Sequence, residues 1–64
     1  MPHITIEAST ISKDKKDELI RSVTKTASEV TEIPETSFTI VIKEFPMENW
    51  GVGGKPLAEV LKHD

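Results

Sequence analysis

With 64 residues and no cysteine, the chain has no disulfide and no thiolate metal site with which to brace a small fold. Its net charge of −3, with basic residues scattered among the acids, is not the footprint of a nucleic-acid binder. No apolar run approaches the roughly 18 residues that span a membrane, and no basic-then-apolar leader opens the chain, so the expectation is a soluble, cytoplasmic protein.

The length allows one domain, residues 1–64, which buries only about 60% of its unfolded surface. Ordering costs about 1.5 kcal/mol per residue, which one small core barely offsets. Self-association is the remedy expected here. His3 and His63 make a poor metal set.

Residues 3–8 alternate, with Ile4, Ile6 and Ala8 on one face and His3, Thr5 and Glu7 on the other, which predicts a strand. Pro2 stands at its start, where a missing N–H is tolerated. Ser12 offers a helix N-cap, with Asp14 and Asp17 close behind it. Leu19, Ile20, Val23, Ala27 and Val30 follow helical spacing, and Asp17 and Arg21 form an i,i+4 pair. Pro34 biases Ile33 away from helical angles, so one helix is predicted over 13–31.

Residues 37–45 are rich in β-branched and aromatic side chains and predict a second strand, with Phe38, Ile40 and Ile42 on one face and Val41 on the other. Pro46, Asn49, Gly51, Gly53 and Gly54 predict a turn-rich segment of hairpin geometry. Pro56 suits the first turn of a short helix striped by Leu57, Val60 and Leu61. The class is therefore α+β, a β-α-β unit with a C-terminal hairpin segment and short helix. Two strands and one helix leave a sheet face and both edges open, and pairing of sheets between copies would close them.

Several of these residues fall into a known pattern. Met1-Pro2 leads directly into an alternating strand. Lys16 to Arg21 reads Lys-x-x-Leu-Ile-Arg in the long helix. Thr36-Ser37 precedes the apolar strand, and Glu44 is followed after a short gap by Trp50-Gly51-Val52-Gly53-Gly54. Over nearly its whole length the chain resembles the 4-oxalocrotonate tautomerase family. The resemblance implies protomers that pair their sheets into dimers and a homohexamer of three such dimers. It also implies removal of the initiator methionine and use of the freed proline amine as a base on a small enol or 2-oxo acid, without cofactor.

The chemistry of a proline base is physically reasonable. A general base works best when its pKa lies near the operating pH. An apolar pocket disfavours the ammonium form and lowers an amine's pKa. Pro2 is thus the candidate catalytic residue and Trp50 the candidate apolar wall, although a lone tryptophan also suits core or interface packing. Gly51, Gly53 and Gly54 are not followed by the Gly-Lys-Ser/Thr of a phosphate loop and read as turn residues.

Ile11 and Thr39 occupy the positions where the best-studied members of the family carry substrate-binding arginines. Neither makes a bidentate contact with a carboxylate, so poor turnover of dicarboxylates is expected, with Lys13, Lys43 and Arg21 as candidate substitutes. Two readings remain at this point. One is a cofactor-independent tautomerase, with related dehalogenation or hydration chemistry inseparable from it. The other is an oligomeric binding or scaffold protein of the same fold, which retention of Met1 would favour.

Overall fold

A computed structural model describes residues 1–61; the expectation for His63 lies outside the described residues. The first strand, β1, is His3–Ala8, with Ile4, Ile6 and Ala8 half-buried and His3, Thr5 and Glu7 exposed, as the alternation predicts. The long helix, α1, is Lys13–Thr31. Ser12 caps it, its side chain accepting from the Lys15 N–H at 3.3 Å and its carbonyl from the Lys16 N–H at 2.9 Å. At the other end Glu32 takes a left-handed conformation, φ 61°, and its N–H donates to Ser28 O at 2.8 Å.

After Pro34 a 3-10 turn, Glu35–Ser37, precedes the second strand, β2, Thr39–Glu44. The strand thus starts two residues later than its composition predicts. The N–H groups of Ser37 and Phe38 donate to Pro34 O and Glu35 O, so the turn takes the donors a strand would use. β1 and β2 pair in parallel, His3 opposite Thr39 through Ala8 opposite Glu44. The two inner rows, Ile4-Ile6-Ala8 and Ile40-Ile42, are half-buried and share the register that brings them together.

Leu19, Val23 and Ala27 of the predicted helical stripe are half-buried, but Val30 is 76% exposed and Ile20 38%. The 19-residue helix is about 28 Å long, whereas a six-residue strand spans about 20 Å. The last turn of α1 therefore overhangs the sheet, and Val30 has no strand to pack on. The Asp17–Arg21 pair is also corrected: the Asp17 carboxylate instead meets Lys13 Nζ at 2.9 Å, one helical turn earlier.

Beyond Pro46 a 3-10 turn, Met47–Asn49, leads to a two-residue hairpin of β3, Gly51–Val52, and β4, Lys55–Pro56. Gly53 and Gly54 link them with φ of 60° and 84°, a turn that needs positive φ at both positions. Pro56 is the last residue of β4 opposite Gly51, not part of the helix that follows. That helix, α2, is Leu57–Leu61, and the Leu57 N–H closes onto Trp50 O at 2.9 Å.

This chain does not close a core on its own. Among the described residues no side chain is fully buried. The radius of gyration is 15.3 Å, against about 11 Å for a compact domain of this length. The accessible surface is 5091 Å², against about 4,100 Å² for a folded monomer of this mass. No helix among the described residues is long and apolar enough to cross a membrane.

Candidate active site

The four residues singled out in the sequence fall at two ends of the parallel sheet. At one end Pro2 leads into β1, and its carbonyl accepts the Thr39 N–H at 3.1 Å. The parallel register brings this about, because β2 begins where β1 begins. Met1 is 93% exposed.

Trp50 sits at the other end. Phe45 continues the sheet pattern, its N–H donating to Ala8 O at 2.9 Å, and its carbonyl accepts the Trp50 indole N–H at 3.1 Å. The two rings meet edge to face, with centroids 6.4 Å apart and planes at 71°. Glu7, Phe45, Asn49 and Trp50 line an open groove there. Pro2 and Ala8 lie six residue steps apart along extended chain, about 20 Å. Within one chain, then, the aromatic wall and the proline are not neighbours.

Ile11 shares the Trp50 end of the sheet but not its groove. It lines a separate depression with Lys15, Glu18, Leu19 and Ser22. Its N–H donates to Glu44 Oε2 at 2.7 Å, and Glu44 Oε1 also accepts from Lys16 Nζ at 3.0 Å. These contacts, the Ile11 N–H first and the Lys16 ammonium second, hold the Glu44 carboxyl below its ordinary value. Glu44 thereby ties the start of α1 to the end of β2. Lys13 is engaged with Asp17, whose carboxyl it holds below its usual value.

Two participants are harder to read in the sequence. Glu44 continues the inner row of Ile40 and Ile42, and an acid on an apolar row signals a specific partner. His3 looks like an ordinary outward residue of β1, yet its ring lies between two hydroxyls: Nδ1 is 2.8 Å from Thr39 Oγ1 and Nε2 is 3.1 Å from Thr5 Oγ1. Only the strand register reveals that His3 faces Thr39.

A family model described as tautomerase enzyme matches residues 2–59. The chain belongs to the tautomerase family. Its fold matches TomN, a 4-oxalocrotonate tautomerase homologue in the tomaymycin biosynthetic pathway, at a TM-score of 0.90 and 27% identity over 97% of each chain. It also matches a 4-oxalocrotonate tautomerase isozyme of Methylibium petroleiphilum at 0.83 and 28% identity, over 97% of this chain and all of that one. A heterohexameric 4-oxalocrotonate tautomerase of Chloroflexus aurantiacus J-10-fl matches at 0.80 and 27%, over 94% of this chain and 97% of its own. A search of curated protein sequences gives no significant match. The β-α-β unit with its short C-terminal helix is therefore the tautomerase fold, and the family's members are in general enzymes of the isomerase class.

Proposed function

We propose that this tautomerase-family chain is a cofactor-independent tautomerase whose base is the amine of Pro2, freed by loss of Met1. The carrying observation is that the chain positions Pro2 firmly while leaving its N-terminal side open. The Thr39 N–H holds the Pro2 carbonyl at 3.1 Å, whereas Met1 is 93% exposed. The family match also opens on Pro2 rather than Met1.

In the proposed reaction the neutral amine removes a proton from the carbon beside a carbonyl. The electron pair of the broken C–H bond moves toward the carbonyl oxygen and gives an enolate. The prolinium ion then delivers the proton to a carbon of the enolate, and the amine is restored; an enol such as phenylenolpyruvate reaches the same enolate by losing its O–H proton and gains the proton at the carbon beside the new carbonyl. The substrate class is a small enol or 2-oxo acid.

An amine works as a base near neutral pH only where its ammonium form is disfavoured, and an apolar wall does that. Trp50 and Phe45 lie too far from Pro2 to provide the wall within one chain. We therefore infer a site shared between subunits of a homohexamer, a trimer of sheet-paired dimers. The missing core, the extended shape and the heterohexameric relative from C. aurantiacus support assembly of this kind.

The test is chemical. Protein whose N-terminus is verified by mass as Pro2 should turn over phenylenolpyruvate. Acetylation of that amine, or a homogeneous preparation that keeps Met1, should abolish turnover, because an amide nitrogen accepts no proton. Pro2→Ala keeps a free but primary and more mobile amine, and should lower kcat by about ten- to a hundredfold. Full activity with Met1 retained would exclude Pro2 as the base.

A further inference from the structure

The parallel sheet has an open edge along β1, and the backbone ladder fixes which residues face it. Among the described residues β1 pairs only with β2. The Thr39 N–H donates to Pro2 O and the Phe45 N–H to Ala8 O, so the even-numbered residues of this stretch turn their peptide groups toward β2. The ladder alternates, and the N–H and C=O groups of His3, Thr5 and Glu7 therefore point to the open edge.

A second copy running antiparallel along this edge must bond through the same three residues, which leaves few registers. With a two-fold axis through Thr5, Thr5 meets the partner's Thr5 and His3 meets the partner's Glu7. An imidazole then stands directly opposite a carboxylate on each side of the axis, with Cα atoms about 5.5 Å apart. An axis through Ile4 or Ile6 instead sets His3 or Glu7 against the partner's Thr5 and loses both pairs. The free edge of β2 offers no such match: its outward row, Thr39, Val41 and Lys43, carries one charge and no opposite one to meet on reversal. The axis stands perpendicular to the sheet, so both copies of α1 lie on one face. A helix about 10 Å wide covers two strands about 4.8 Å apart, so the two helices fit side by side.

We propose that two copies join along β1 in this register, and that the join completes the site. Across the axis Pro2 lies opposite the partner's Ala8. In each chain the Ala8 carbonyl takes the Phe45 N–H, and Phe45 and Glu7 line the Trp50 groove. The proline and the aromatic wall, far apart within one chain, thus become neighbours between two. Glu7 has a double place here, on the groove and opposite His3 of the other copy. The pairing stands by itself; its consequence for the site rests on the reading of Pro2 as the base.

The chain has no cysteine, so introduced thiols report the register directly. In assembled full-length protein with a verified Pro2 N-terminus, Thr5→Cys should give a disulfide-linked dimer on mild oxidation, because a spacing of about 5.5 Å suits a disulfide. His3→Cys and Glu7→Cys, unfolded together and refolded, should cross-link to each other, and neither should cross-link alone. His3→Glu sets acid against the partner's Glu7 and should weaken association about tenfold by sedimentation. His3→Glu combined with Glu7→His reverses each pair and should restore most of that loss.

A Thr5→Cys protein that assembles by light scattering yet forms no disulfide overturns this inference, and turnover by wild-type protein would leave the Pro2 reading standing. If Thr5→Cys fails to assemble, the mixed His3→Cys and Glu7→Cys preparation decides: no cross-link between them overturns it. Failure of the reversed pair to restore association also overturns it. Cross-linking as expected, with wild-type protein inactive on phenylenolpyruvate, supports the pairing and overturns the Pro2 reading.

Discussion

Glu44 shows how one carboxylate on an otherwise apolar row can organise a small fold. It accepts the Ile11 N–H and the Lys16 ammonium, and both contacts favour its charged form. Its folded pKa lies below its ordinary 4.5, so the unfolded chain binds more protons at acid pH than the folded one. The stability Glu44 contributes is complete above its unfolded pKa and is lost as pH falls through the lowered folded value. Thermal melts from pH 7 downward should therefore lose stability once the pH drops below about 4.5. Glu44→Gln should melt lower at pH 7 and lose part of that acid limb. The limb should not vanish, because Asp17, lowered chiefly by Lys13, contributes with the same sign.

At the scale of elements, the ends of α1 offer two changes of opposite sign. Ser12 satisfies an orphan N–H of the first turn, so Ser12→Ala should cost about 1 kcal/mol. Glu32 sits at φ 61°, where a Cβ is strained and glycine is at ease. Glu32→Gly should stabilise by up to about 1 kcal/mol, the relief of strain being partly offset by a more flexible unfolded chain. Urea titrations of the two variants should shift their midpoints in opposite directions. The elements themselves were legible because α1 carries its own start and stop signals, Ser12 and Pro34, and because β1 alternates cleanly. The start of β2 was less so, since Phe38 has strand-like chemistry but gives its N–H to a turn. Pro2 and Trp50 stood out by chemical type and spacing. The His3–Thr39 contact depends on the pairing of residues 36 positions apart, which no local pattern records.

At the scale of the whole molecule, a chain with no fully buried side chain among its described residues has little reason to stay folded alone. Phe45, Met47, Val52, Val60 and Leu61 are all more than a third exposed, and Phe45 lines the Trp50 groove. Covering them by association would couple assembly to folding. Apparent stability should then rise with protein concentration, as mass action requires. Differential scanning at a hundredfold range of concentration should move Tm upward by several degrees. An invariant Tm together with a monomeric mass by light scattering would contradict the proposed assembly.

The separation of Pro2 from Trp50 along β1 has a genetic consequence. If a base and its wall belong to different subunits, two defective proteins carry complementary halves. A Met1-retaining chain lacks the amine but keeps Trp50; a Trp50→Ala chain keeps the amine but lacks the wall. Unfolded together in equal amounts and refolded as mixed assemblies, they should regenerate about a quarter of the sites intact, from random pairing of neighbours. Each protein refolded alone should regenerate none of the wild-type sites. Activity in the mixture above the average of the two separate preparations would be the signature. Such a lineage could tolerate a lesion in one copy of the gene as long as a second copy was damaged at the opposite end of the strand.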